Sequence, residues 1–392
     1  MADTVSLSTR SSQSSIRSSA STTPSVYDKL PGMVSGPMVW KGAELDPLKY
    51  VLQLQAHEIA NIRAAILAFK LSGLPRSSVT QATFPLAEEL AKKLASISDE
   101  VHNGWGVAVL RGLDAARLND EEATIAFVGI SSYVCPSRAT DSYANQTLSH
   151  IRDATHDAVP KGAEHLGLAG SKLPVAMDFH SDRFSGDVLA LHVRNDGGAD
   201  SGGEQFIASF WQIYNELLET EPSVLETMAA ADWPFELKQP NAPPYLELGP
   251  TLFFADGKPI CQLVKAPLLG SPQIPRSSDM PCLSQEQHHA LEVVEGLARR
   301  FSSKLDRRVG DIQYIHNLSM LHARSAYGSK SSSSPGQRHL LRMFLRDPRK
   351  MWTKPNTCRT NFVDPFEEGR EQDIPIVDLD PRRKISGRES HG

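Results

Sequence analysis

Cysteine is scarce in this chain. There are four in 392 residues, Cys135, Cys261, Cys282 and Cys358, all far apart and none in a Cys-x-x-Cys pair. That pattern argues against a disulfide framework or a thiolate-held structural zinc, and for a reducing, cytoplasmic setting. No run of about 18 apolar residues exists, which excludes a membrane-crossing helix of the usual kind. Basic excess is missing too: the net charge is −5, so the electrostatic field that draws nucleic acid or an anionic membrane is absent, and neither is expected as a partner. Oligomeric state is not legible.

What is present suits a globular protein: 40% hydrophobic and 22% charged residues. The material is uneven. Residues 1–37 are Ser/Thr-rich with almost nothing apolar, as in "TVSLSTRSSQSSIRSSASTTPS". Such a segment buries too little surface to order itself and reads as a disordered tail. Its arginines and lack of acids leave a mitochondrial presequence as the alternative address. Folded structure is expected from about Met38–Trp40 to 358, followed by a charged, proline-punctuated tail over 359–392. No repeat or linker divides the middle.

Periodicity supplies the elements. Ile59, Ile62, Ile66 and Phe69 mark an amphipathic helix, and Leu86, Leu90, Leu94 and Ile97 a second. "WGVAVLRGL" then reads as a strand between glycine turns. "DVLALHV" is a buried strand, and "NDGGADSGGEQF" a turn rather than a cation-binding loop. "IASFWQIYNELLETEP" reads as one helix stopped by Pro222. Ser284 and Gln287 form a capping box ahead of a helix carrying Leu291, Val294, Leu297 and Phe301, with His288 and His289 facing solvent. "GDIQYIHNLSMLHARSAYG" and "RHLLRMFLRD" supply the last strands, and "SKSSSSPGQ" between them is a loose loop or a lid. His150 and His156 sit in polar company and are expected at the surface or beside a site, not as ligands. The class is α+β with a mainly β core.

Three clusters carry chemistry. His180 and Asp182 are two positions apart, so in an extended chain both side chains emerge on one face. His322 lies far downstream. A His-x-Asp with a distant His is the two-His-one-carboxylate pattern that holds non-haem Fe(II) with open positions. Arg338 and Arg342 alternate along one strand face with Leu340 and Phe344, and guanidiniums inside a barrel need anions to grip. Each piece alone has a plain structural explanation: a surface turn for His180 and Asp182, a satisfied core histidine for His322, exposed ion pairs for the arginines. Their order along the chain is the stronger signal.

With those residues in view, the sequence resembles the TauD/TfdA family of Fe(II)/2-oxoglutarate-dependent oxygenases, in particular its fungal-type members. "GWGVAVLRGL", "LSHIRDA", "DFHSDRFSGDVLAL", "SGGEQFIAS" with "IYNEL", "GDIQYIHNLSMLHARSAY" and "GQRHLLRMFLRDP" match the family's motifs in order, from about Trp40 to Pro355. The resemblance implies a double-stranded β-helix, a jelly-roll with surrounding helices. It implies catalytic iron held by His180, Asp182 and His322, with O2 as co-substrate. It places the distal 2-oxoglutarate carboxylate on Arg338, aided by Gln205 where relatives often carry a hydroxyl, and a substrate anion on Arg342. The implied reaction is hydroxylation or desaturation of a small organic substrate, anionic or a secondary metabolite, with 2-oxoglutarate decarboxylated to succinate and CO2. His316 departs from the family's Asn-Asn pair and is read as hydrogen-bonding a loop beside the site, with a pH-sensitive group supporting the site as the alternative. The competing readings are a non-catalytic metal-binding jelly-roll protein and a zinc hydrolase on the same three ligands.

Overall fold

The computed structural model describes residues 30–378 except 142–144, 160–166, 199–200, 240–241, 272–274 and 329–336, and not the side chains of 239 and 242. The Ser/Thr-rich stretch up to residue 29, the Ser-rich loop or lid at 329–336 and the charged end from 379 lie outside the described residues.

In chain order the strands are β1 (Val51–Gln53), β2 (Val107–Arg111), β3 (Ser137–Arg138), β4 (Ser149–Arg152), β5 (Met177–His180), β6 (Val188–Asn195), β7 (Gln205–Ser209), β8 (Trp233–Gln239), β9 (Ala242–Gly249), β10 (Leu252–Ala255), β11 (Lys258–Cys261), β12 (Ser303–Lys304), β13 (Ile312–His316), β14 (Met320–Arg324) and β15 (His339–Arg346). They form a seven-stranded sheet, ordered β1-β2-β13-β6-β15-β3 with β4 also on β15, and a four-stranded sheet, β12-β7-β14-β5. Only β1 and β2 pair in parallel there; the other ladders are antiparallel. β8–β9 and β10–β11 are separate hairpins.

Three apolar layers explain the pattern. β6 is buried on both faces: Val188 and Ala190 pack toward the helices, while Leu189, Leu191 and Val193 face the second sheet. The alternation of side chains along a strand divides these two sets, and burying both leaves an unbroken apolar run in the sequence. The outer face of the large sheet is covered by α1 (Ala56–Ser72), α2 (Glu88–Asn103) and α3 (Asp120–Val134). The small sheet is backed by α4 (Phe210–Thr220), α5 (Pro222–Ala229) and α6 (Gln285–Phe301). The architecture is mixed α+β, with helices outside and the interior between two sheets.

Two expectations need correction. Ile207–Ser209 belong to β7, not to the helix that follows. Ile207 and Ala208 are buried on opposite faces of the small sheet, and Ser209 then caps α4 by accepting the Gln212 N–H at 3.1 Å. Pro222 does not merely stop that helix but begins α5, in the first turn where its missing N–H costs nothing.

The domain bounds also widen. Tyr214 donates to the Pro31 carbonyl and Asn215 pairs with Val34, so chain ahead of Met38 is packed. Beyond the expected boundary at 358, α7 (Arg359–Val363) inserts Phe362 edge-on against Phe184 and Phe253. Further on, Ile374 joins the helix-side core, and Asp378 pairs with the buried Lys172 at 2.6 Å. One apolar residue every several positions leaves no periodicity to read, yet each fills a pocket that the rest of the fold supplies.

Candidate metal centre and co-substrate cavity

His180 ends β5 and His322 stands in the middle of β14, and the two are register partners across the small sheet, with ring centroids 4.2 Å apart. Beyond His180 the chain leaves the sheet, and Asp182 turns in until Oδ2 lies 3.3 Å from His322 Nε2. One ligand atom from each of the three falls within 4.8 Å of the others, and all three residues are buried. The His180 Nδ1–H donates to the Asp178 carbonyl at 2.7 Å, which leaves Nε2 with its lone pair toward the cluster. Burial pushes the His180 pKa down to about 3, and neighbouring His322 lowers it further while Asp182 opposes, so the ring is neutral. Two imidazoles and a carboxylate are a divalent-metal donor set, and they fit Fe(II).

The three line a cavity of about 50 Å³ shared with Gln205, Arg338 and Arg342. Its remaining wall is largely apolar, including Ile151, Leu189, Leu191 and Leu340. Arg338 is buried, and its Nε and Nη1 have no hydrogen-bond partner. Burial pushes its pKa down to about 9, and the nearby Arg307 and Arg324 add to that. A buried cation with unmatched donors beside an open cavity is an anion seat. Arg342 is also buried. It donates from Nε to Ser149 Oγ at 3.3 Å and feels the Asp182 charge. The Gln205 Oε1 lacks a partner. Thus all six residues expected from the sequence border one cavity.

A family model described as "Taurine catabolism dioxygenase TauD, TfdA family" matches residues 70–344. The chain belongs to the TauD/TfdA family. It is an Fe(II)/2-oxoglutarate-dependent dioxygenase. It is 32% identical over 362 residues to a taurine hydroxylase-like protein of Stachybotrys chartarum, covering 92% of each chain. It is 24% identical over 317 residues to the FR-33289 synthase of Streptomyces rubellomurinus, covering 80% of this chain and 90% of the other. An asparagine oxygenase solved with Fe(II), hydroxyasparagine and succinate shares the fold at a TM-score of 0.56 and 14% identity, covering 77% of this chain and 95% of that one.

In this dioxygenase the loop carrying Asp182 is held by residues that the sequence did not single out. The Asn317 Oδ1 accepts the Asp182 N–H at 2.9 Å, and its Nδ2 donates to the carbonyls of Asp182 and Gly186 at 2.7 and 2.9 Å. Ser181 is tied on its other side, with Oγ donating to the Cys261 carbonyl and accepting the Leu263 N–H, both at 3.0 Å. Phe184, at φ 53°, takes a left-handed turn backed by Phe362. The loop ends at Asp187, paired with Arg346 at 3.0 Å and Lys354 at 2.8 Å. Burial alone would raise that carboxyl, but the two cations hold it down to about 2. A lone Asn after His316 has no spacing that says which backbone it holds, so only the fold reveals it.

Asn317→Ala is expected to weaken metal binding roughly 10–100-fold, the usual effect of removing a ligand's supporting partner. Asn317→Asp, which keeps the acceptor for the Asp182 N–H, should recover part of the loss. Titration with Co(II), followed by its visible absorption, reads this directly; unchanged affinity in Asn317→Ala would remove Asn317 from the site.

His316 fulfils its reading as a loop partner, with Nδ1 2.8 Å from Ser319 Oγ. His150 does not lie at the surface: it is buried, stacks on His339 at 5.1 Å and contacts the Pro375 carbonyl through Nε2 at 3.1 Å. Its β4 position looks solvent-facing until the chain near residue 375 covers it. His156, His288 and His289 are exposed. Among the described residues the Gly/Asp-rich turn forms no metal cluster; Asn195 and Asp196 instead accept the N–H groups of Gly197 and Gly198.

Proposed function

We propose that this dioxygenase hydroxylates an unactivated C–H bond of a small organic anion of secondary metabolism. In the balanced reaction the substrate, O2 and 2-oxoglutarate give the alcohol, succinate and CO2. The observation that carries the reading is the unmatched Arg338 guanidinium in the same cavity as the His180–Asp182–His322 cluster. In this reading the two sheets are the faces of a double-stranded β-helix, and the packed domain spans 30–378 between its terminal segments. Bound iron supplies the redox chemistry that couples O2 reduction to oxidation of the 2-oxo acid and of the substrate.

The protein's own residues do the rest. His180, Asp182 and His322 hold the metal from one side and leave its other positions to ligands. Arg338 takes the distal carboxylate of 2-oxoglutarate, with Gln205 beside it. Arg342 pairs with the substrate anion, and the apolar wall excludes water from the reacting C–H. Desaturation is the other outcome open to such a site. The names of the curated relatives, a taurine hydroxylase-like protein and a synthase, are compatible with an anionic metabolite as substrate. The four cysteines are free, which suits a cytoplasmic location. No helix among the described residues is long and apolar enough to cross a membrane.

The test is incubation of Fe(II)-loaded enzyme with 2-oxoglutarate and a panel of small sulfonates, phosphonates and carboxylates, each beside its neutral amide. Succinate equimolar with a hydroxylated product is the expected result for an anion. Arg342→Leu should raise KM for that anion roughly tenfold or more, the scale of a lost charged hydrogen bond, without changing KM for 2-oxoglutarate. Equal use of the amide, or an unchanged KM in Arg342→Leu, would contradict the anion reading.

A further inference from the structure

Arg324 and Arg338 both line the cavity, and the charge of Arg307 acts on each of them. Two of these three guanidiniums are tied to backbone. Arg307 Nη1 donates to the Gly203 carbonyl at 2.7 Å, and Arg324 Nη2 donates to the carbonyls of Leu173 and Val175 at 2.8 and 2.5 Å. Arg324 leaves only its Nε without a partner, whereas Arg338 leaves both Nε and Nη1. The ring of Tyr327 lies under two of the three, 4.8 Å from Arg324 Cζ and 4.9 Å from Arg338 Cζ, the range of a cation–π contact.

The backbone forces this placement. Tyr327 N–H donates to the Pro174 carbonyl at 2.9 Å, and Gly203 N–H to the Ala326 carbonyl at 3.0 Å, so the segments around Gly202 and Tyr327 run side by side. Gly203 has φ 71°, and a Cβ there would come 2.8 Å from Arg338 Nε and 3.2 Å from Tyr327 Cβ. Only glycine lets the aromatic ring and the guanidinium share that space. The Tyr327 phenol oxygen is buried and faces the Arg338 guanidinium, with no acceptor for its proton among the described residues. Burial raises its pKa, though Arg324 and Arg338 oppose, so the phenol keeps its proton and is a donor at neutral pH.

We propose that Tyr327 is a second anchor for the distal carboxylate of the co-substrate: its ring holds the Arg338 guanidinium in place and its O–H donates to the carboxylate that Arg338 grips. A carboxylate offers about four lone-pair sites, and a two-pronged guanidinium uses half of them, so a further donor has a place to go. A guanidinium can only donate, so the phenol proton finds no acceptor on Arg338 and gains one when the carboxylate binds, which favours the dicarboxylate over shorter 2-oxo acids. This inference rests on the assignment of Arg338 to that carboxylate.

The experiment compares 2-oxoglutarate with 2-oxobutyrate, which has the chelating end but no distal carboxylate. Each is titrated anaerobically into Fe(II)-loaded protein, and binding is read from the visible absorption of the chelate. Tyr327→Phe should weaken 2-oxoglutarate roughly tenfold and leave 2-oxobutyrate unchanged, and Tyr327→Leu, which also removes the ring, should weaken 2-oxoglutarate further. An equal loss for both acids, or no loss for either, overturns the role of Tyr327. The Arg338→Met variant separates the two levels. If it loses 2-oxoglutarate selectively while Tyr327→Phe does not, only the tyrosine inference fails. If Arg338→Met binds 2-oxoglutarate normally, the assignment beneath it fails.

Discussion

Asp182→Ala should bind Fe(II) at least roughly 100-fold more weakly and release no succinate, because losing a ligand costs more than losing a ligand's supporting partner. The fold should survive. The Asp182 backbone stays pinned by Asn317 at 2.9 and 2.7 Å, and the neighbouring Asp187 keeps both cations. The measurement is the melting temperature with and without Fe(II) under argon. A ligand that binds only the native state raises Tm through mass action, and that rise should vanish in Asp182→Ala while the metal-free Tm stays close to that of the parent. His180→Ala should behave the same way. A variant that keeps the Fe(II)-dependent rise and still forms succinate would remove these residues from the metal site. A zinc hydrolase on the same ligands would lack both 2-oxoglutarate binding and succinate.

Arg338→Met should raise the 2-oxoglutarate dissociation constant by roughly two orders of magnitude, since breaking a buried charge pair costs about 3–5 kcal/mol. Iron affinity should stay near normal, because no ligand of the cluster touches Arg338 through a hydrogen bond. The ligand-free protein should also become more stable. A buried guanidinium with two unmatched donors is a cost borne until its anion arrives, and an apolar side chain of similar length removes that cost. The opposite signs of the two effects mark a binding residue. A structural arginine would lose stability when replaced, and its loss would disturb iron and 2-oxoglutarate alike. Anaerobic titration and a ligand-free melt measure both, and a drop in Tm with normal 2-oxoglutarate binding would reassign Arg338 to the scaffold.

Much of the site is legible in the amino-acid sequence because strand geometry is local. A two-residue period puts Arg338, Leu340 and Arg342 on one face whatever surrounds them, and all three do line the cavity. The offset from His180 to Asp182 works similarly. The chain leaves β5 at His180 and needs only a turn to bring the carboxylate back, and Ser181 faces away to bind Cys261 and Leu263. The helices show through their apolar spacing, although α1 is apolar nearly all round, with Leu67 and Leu71 left exposed.

The sequence by itself determined which His, Asp and Arg side chains the candidate site brings together, and the α+β class, since each depends on residue type and short-range period. Tertiary structure alone decided the rest. It paired His322 with His180 across the small sheet. It gave Asn317 a backbone to hold, buried His150 beneath the chain at Pro375, and set Phe362 behind Phe184. It also brought Tyr327 under Arg338 through the close approach at Gly203. These contacts join residues distant in the chain, and neither propensity nor periodicity carries information about which surfaces the folded backbone will bring together.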